Sequence, residues 1–231
     1  MLNYVSKILN VQQARLRFSH LFALPNNNSF PNLNGENRRD KIYMKDVIII
    51  VEGPQGAGKT TFTNFLREKM SSTDLYRLAG IKDKTETGHA KIKKKYNQLI
   101  EYMKACEGSN LVFDRTFFSN EIYSRLGYLN YNFSDSFNEL LEKLDNIKTA
   151  EIYLIVLYLE NDEEYINRIK RDKHQYQKFS LENSVNQQKE YLKLADEVKE
   201  RTQNINVIKF ASDNRKRTEA KLKEIFGDLM K

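Results

Sequence analysis

Apolar positions along this chain follow two rhythms. One is a short unbroken run. Val47 to Val51 is apolar and β-branched throughout, with charge at Asp46 and Glu52 on either side. An alternating strand would show one apolar face, whereas a continuous run fits a strand buried on both. Similar segments predict strands over 74–79, 110–114, 150–158 and 205–210. The other rhythm returns every three or four residues. Phe62, Phe65, Leu66 and Met70 follow it, as do Ile92, Tyr96, Leu99 and Met103, and Tyr165, Ile166 and Ile169. That spacing lines one face of a helix. Helices are predicted over 59–70, 89–107, 117–128, 134–147, 162–174, 181–203 and 215–230. Strands separated by helices predict an α/β fold, a five-stranded parallel sheet with helices on both faces. Ligands of such sheets collect at the carboxyl ends of the strands. Glu52 to Lys59, the region after Ala79, Asp114 with Arg115, and the region after Leu159 should then surround one cleft. No internal repeat is visible.

Between the first strand and the first helix the chain places three of its nine glycines within six positions. The spacing Gly53-x4-Gly58-Lys59-Thr60 is that of the P-loop. Gly53, Pro54, Gln55, Gly56, Ala57, Gly58, Lys59, Thr60 and Thr61 would wrap a nucleotide's phosphates with backbone N–H groups. Lys59 would reach the β- and γ-phosphates, and the Thr60 hydroxyl would ligate Mg²⁺. The competing reading is a Gly-rich turn that matches by chance. A strand before it and a helix after it argue against chance. The sandwich is therefore expected to be a P-loop domain that uses ATP and Mg²⁺.

Composition narrows the class. At 231 residues, 40% of them apolar, the chain suffices for one domain with an appendage. No apolar run approaches the ~20 residues that span a bilayer, so no membrane partner is expected. The single cysteine, Cys106, permits no internal disulfide or cysteine metal cluster, and His20, His89 and His174 show no ligand spacing. A reducing, cytoplasmic setting fits. The net charge of +7 is uneven. Residues 1–45 hold seven Lys/Arg against two Asp/Glu, and the remainder is close to neutral. The basic pI therefore does not argue for nucleic acid as a partner.

Residues 1–45 are expected to be a flexible basic extension, with the folded domain over 46–231. Leu2, Val5, Ile8 and Leu9 could line a short helix, and "PNNNSFPNLNGENRRD" cannot build a core. Three readings stand side by side: a mitochondrial transit peptide, a mobile native arm, or an upstream extension of a product starting at Met44.

Other segments carry candidate chemistry. The strand "NLVFD" ends in Asp114 and Arg115. An acid at a strand end beside a P-loop holds the Mg²⁺ water shell or activates an attacking oxygen. Arg115 offers a planar fork for phosphate. The plain alternative is an Asp-Arg turn. Further on, Arg168 and Arg171 project from one side of a helix that follows the fourth strand. A P-loop without arginine needs a cation from elsewhere on the transferring phosphoryl, and these two are the nearest. The plain alternative is a solvated basic helix. Lys91, Lys93, Lys94 and Lys95 beside Tyr96 form a second basic run. It is expected to be the wet side of a helix, with a lysine or two near an anionic substrate.

These residues together resemble the thymidylate-kinase-like nucleotide kinases, a P-loop branch shared with deoxynucleoside kinases. Gly58, Lys59, Thr60 and Thr61 match the family's loop ending. Asp114, Arg115, Ser119 and Tyr123 match its Asp-Arg-aromatic-x-x-Ser-x-x-Ala-Tyr signature, from which Thr116 and Ile122 depart. Arg168 and Arg171 match its lid, Tyr191 to Ala195 a Tyr-Leu-x-Leu-Ala helix, and Ala211 to Asn214 the adenine-contacting loop. The similarity spans roughly 45–228. The family's Arg-Glu-Pro-Gly-Gly after the second strand is reduced here to Arg77, which puts thymidylate itself in doubt. The resemblance implies ATP-dependent transfer to a deoxynucleoside monophosphate, a small-molecule nucleotide. In that role Lys59, Arg168 and Arg171 would neutralise the γ-phosphoryl and Thr60 and Asp114 would organise Mg²⁺. Arg77 and Arg115, with Ser119 and Tyr123, would grip the acceptor. Members of the family are often homodimers, although no dimer face is visible in this sequence. The alternatives are a deoxynucleoside kinase and a P-loop kinase acting on DNA.

Overall fold

The computed structural model describes residues 46–78, 83–172 and 180–230. Along them run β1 (Asp46–Glu52), α1 (Lys59–Lys69), β2 (Thr73–Arg77), α2 (Glu86–Ala105), β3 (Asn110–Asp114), α3 (Phe117–Arg125), α4 (Ser134–Asp145), β4 (Ala150–Tyr158), α5 (Glu163–Asp172), α6 (Leu181–Arg201), β5 (Ile205–Ala211) and α7 (Arg215–Phe226). The strands form one sheet in the order β2-β3-β1-β4-β5. Every neighbouring pair is parallel. The expected α/β sandwich is the observed one.

The expected boundaries shift where local chemistry is not periodic. β2 ends at Arg77, and the Leu78 N–H then donates to the Asp114 carbonyl at 3.3 Å as the chain leaves the sheet. Ala79 lies outside the described residues, as do 1–45 and the segment 173–179. α2 begins at Glu86, three residues before the expected start at 89, in a first turn that carries no large apolar side chain. α3 stops at Arg125. Gly127 takes φ 69 and its N–H bonds to the Ser124 carbonyl, which closes the helix.

Parity along β1 decides where its side chains go. Ile48 and Ile50 enter a core built with Tyr96 of α2, Phe117 of α3, Phe137 of α4 and Tyr191 of α6. Val47, Ile49 and Val51 enter a second core with Phe62 and Leu66 of α1 and Leu222 and Phe226 of α7. Both faces of the strand are thus covered, as the unbroken apolar run required. The same parity extends to the strand ends. Glu52 follows Ile50 toward the α3 and α6 face. Asp114 follows Val112, and Arg77 follows Leu75, toward the α1 face. Phe113 of β3 is wholly buried, and truncating such a ring to alanine costs about 3–5 kcal/mol. No described helix is long and apolar enough to cross a membrane.

Candidate active site

The segment between β1 and α1 is a cradle whose carbonyls are held from outside. Arg168 of α5 donates from NH1 to the Gly56 carbonyl at 3.0 Å. The Ser212 hydroxyl donates to the Ala57 carbonyl at 2.7 Å. Lys59 Nζ donates to the carbonyls of Gly53 at 2.9 Å and Pro54 at 2.6 Å. In a trans peptide the N–H points opposite to the C=O. Pinning the Ala57 carbonyl outward therefore turns the Gly58 N–H inward, at the start of α1 where the helix dipole favours an anion. The Gln55 N–H donates to Gln187 Oε1 of α6 at 3.1 Å, which ties the near side of the loop to that helix.

Glycine is needed here for two separate reasons. Gly58, the N-cap of α1, sits at φ 85, where a Cβ is disfavoured. Gly53, at φ 139, passes so close to β4 that an added Cβ would stand 2.4 Å from the Leu157 carbonyl oxygen. Lys59 is buried, and desolvation, helped by the neighbouring Arg115 charge, holds its ammonium well below the usual lysine range. Asp114 and Glu52 oppose that shift. An arriving polyphosphate would oppose it further.

Thr60 Oγ1 donates to Asp114 Oδ2 at 3.0 Å, so two oxygens from α1 and β3 converge beside the cradle. No group of three or more His, Cys, Asp or Glu side chains among the described residues could hold a metal by itself. An oxygen pair suits Mg²⁺, which keeps waters and takes its other ligands from phosphates.

Arg115 stands at the end of β3 with φ 72, in the left-handed region that a bulky residue rarely adopts. Backbone of that kind costs roughly 1–3 kcal/mol and persists where its surroundings impose it. Its N–H donates to the Val51 carbonyl at 3.1 Å, which fixes the turn. Its NH1 donates to Tyr123 OH at 3.1 Å and Ser119 Oγ at 3.3 Å. Three of the signature residues thus form one cluster on the α3 side. Arg77 is elsewhere: exposed, on the α1 face, with its guanidinium on the Asn64 side chain. Thr61 is exposed at the start of α1. Arg168 lies across the cradle and also donates to the Ser212 carbonyl at 2.9 Å and to Glu164 at 3.0 Å. The side chain of Arg171 lies outside the described residues. In the basic run of α2, Lys93 pairs with Glu139 at 2.6 Å and Lys91 with Asp83 at 3.7 Å.

The sequence places Glu52 at the edge of the first strand and of the cleft but assigns it no chemical role. The structure buries it completely, with Thr116 N–H, Thr116 Oγ1 and Ser119 Oγ as donors at 2.5, 3.2 and 2.7 Å. Burial pushes its carboxyl above the ordinary glutamate value, against the pull of Ser119, Arg115, Thr116 and Lys59. The available signal was parity: position 52 continues the buried series 48 and 50. Ser212 lies in the segment Ala211 to Asn214 that the resemblance singles out, whereas Gln187 and Gln188 carry no signal in the sequence. Gln188 accepts from the Leu159 N–H at 2.8 Å and Tyr165 OH at 2.6 Å, and so secures the root of α5.

No protein-family model matches the sequence, and no curated protein matches it. Solved structures do. A thymidylate kinase from Candida albicans aligns with TM-score 0.54 at 14% identity, over 80% of this chain and 92% of that one. A deoxyadenosine kinase from M. mycoides, with dCMP and dCDP bound, aligns with TM-score 0.52 at 16% identity, over 79% of this chain and 98% of that one. The sheet order, the glycine cradle at the end of β1 and these two likenesses agree: the chain has the P-loop fold of the nucleoside and nucleoside monophosphate kinases.

Proposed function

We propose that this protein transfers the γ-phosphoryl group of ATP to a deoxynucleoside monophosphate, giving the diphosphate and ADP. The observation that carries the reading is Arg115. Its strained backbone, oriented fork and place beside Asp114 are what a grip on an acceptor phosphate needs. A planar guanidinium holds two phosphate oxygens at once. That matters because the acceptor anion must approach a second anion. An acceptor phosphate oxygen bonds to the γ-phosphorus as the bond to the β,γ-bridging oxygen breaks. In this reading Lys59 and Arg168 would neutralise charge on the transferring group. Thr60 and Asp114 would hold Mg²⁺, which when bound neutralises phosphate oxygens. Residues 46–231 would carry this activity, with residues 1–45 as an appendage to it.

A second reading, a deoxynucleoside kinase, is favoured by one observation. Glu52 is a buried carboxylate with a raised pKa beside the cradle, suited to take a proton from a hydroxyl acceptor. The deoxyadenosine kinase likeness agrees with it. The test is ADP release with ATP and Mg²⁺ against the four deoxynucleosides, their monophosphates and a DNA 5′ end. Turnover on monophosphates alone supports the first reading. Turnover on free nucleosides replaces it with the second. Transfer only to DNA removes both.

A further inference from the structure

Glu52 sits in a hydroxyl network that the phosphate cradle does not need. Ser119 Oγ donates to Glu52 Oε2 at 2.7 Å. Tyr191 OH lies 2.8 Å from Ser119 Oγ and 3.4 Å from Glu52 Oε2. Arg115 NH1 donates to the same Ser119 oxygen at 3.3 Å. Thr116 gives the other carboxylate oxygen its N–H and its hydroxyl.

The protons can be counted. A serine hydroxyl has one proton and two lone pairs. With Glu52 ionised, the Ser119 proton goes to the carboxylate. Its lone pairs take one proton from Tyr191 and one from Arg115, and every group is satisfied. With Glu52 protonated on Oε2, its own O–H needs an acceptor. Ser119 can then accept from it only by turning its own proton to Tyr191, which leaves the tyrosine proton nothing better than the long 3.4 Å approach to Glu52 Oε2. The arrangement therefore fits the carboxylate. We propose that Ser119 and Tyr191 are positioning residues, a hydroxyl pair that fixes the rotamer of Glu52, keeps it charged and aims Arg115 through the shared serine oxygen.

The groups facing Glu52 come from every side. Lys59 approaches from α1 and Arg115 from the end of β3, and Asp114 acts on both of these cations from the other face of the sheet. Tyr96 faces it from α2, Thr116 and Ser119 from the start of α3, and Tyr191 from α6, while Tyr123 of α3 meets Arg115. Two cations share this space. The charge on Glu52 sets how much positive field Lys59 and Arg115 can offer a phosphate. The use made of that charge rests on the proposed kinase activity; the network itself does not.

The sign follows from which form is hydrogen-bonded. Burial raises the carboxyl and donors to the charged form lower it. Removing a donor must raise it further. The Thr116 amide proton reports the ionisation directly, because it is bonded to Glu52 Oε1. In the full-length protein, followed by amide NMR against pH, Ser119→Ala should move the Thr116 midpoint up by roughly one pH unit. Tyr191→Phe should move it up by less. Glu52→Gln should erase it. The acid limb of kcat/KM should move with the NMR midpoint in both variants. A midpoint unmoved in Ser119→Ala and in Tyr191→Phe overturns the inference. Tyr191→Phe decides alone if the serine variant does not fold. A midpoint that moves while the kinetic limb stays also overturns it, since the pair then positions nothing the reaction uses. Absence of turnover with any acceptor sinks the kinase reading instead, and the Thr116 titration still decides the network.

Discussion

The glycine cradle and the side-chain cluster around Arg115, called a pocket below, stand side by side at the carboxyl ends of β1 and β3, yet they are assembled in opposite ways. The cradle is one contiguous segment, Gly53 to Thr60, whose backbone shape is held by visitors: Arg168, Ser212 and Gln187. The pocket has no segment of its own. It borrows Glu52 from β1, Arg115 from the end of β3, Ser119 and Tyr123 from α3 and Tyr191 from α6. A contiguous site works through main-chain groups, so its side chains are mostly glycine and small. A borrowed site works through side chains and is only as exact as the packing behind it. Substitutions should therefore fail differently in the two places, and five experiments test that.

Lys59→Ala should have the largest effect. Phosphoryl transfer should fall on the order of 10³–10⁵-fold, the range a cation on the transferring group supplies. The thermal midpoint should stay within a few degrees, since among the described residues Lys59 hydrogen-bonds to its own loop. Activity within about tenfold of the parent would contradict the cradle's role. Arg168→Ala should lower kcat by about 10³-fold, with a smaller change in ATP KM. The same split is expected for Arg171→Ala. A raised KM with unchanged kcat would leave Arg168 as a brace for the loop and nothing more.

Arg115→Lys probes the borrowed site. A point charge cannot replace the fork. Acceptor KM should rise roughly 10- to 100-fold, the worth of a charged hydrogen bond, while ATP KM stays put. An equal rise in both would mean that cradle and pocket are one unit. Ser212→Ala removes one visitor from the cradle, and ATP KM should rise about fivefold, near 1 kcal/mol. Steady-state kinetics with each substrate varied reads both variants. Deleting residues 1–43, so that Met44 starts the chain, should leave turnover and melting temperature unchanged. A large drop in melting temperature would place the extension on the folded domain.

What the sequence revealed follows the same division. The sheet was legible because β1 is β-branched at every interior position, which only burial on both faces requires. The cradle was legible because its chemistry is local spacing. Asp114 and Thr60 were expected to serve one Mg²⁺ and do hydrogen-bond to each other. Arg77 and Arg115 were expected to act together. Strand parity instead puts Arg77 with Asn64 on the α1 face, while Arg115, past the end of β3, turns to Ser119 and Tyr123. Residue spacing does not encode that separation, because it depends on which face each strand end presents. Glu52 hid for a related reason. A charge that ends an apolar run looks like a boundary until the helix donors that surround it are known.

The contact between Gly53 and β4 has a genetic consequence. The atom that an added Cβ would strike is the carbonyl oxygen of Leu157. Every amino acid brings the same carbonyl to that point. A second-site suppressor of Gly53→Ala therefore cannot arise by changing the side chain it touches. Populations selected to recover from that lesion should return glycine itself, again and again, and sequencing the revertants would show it.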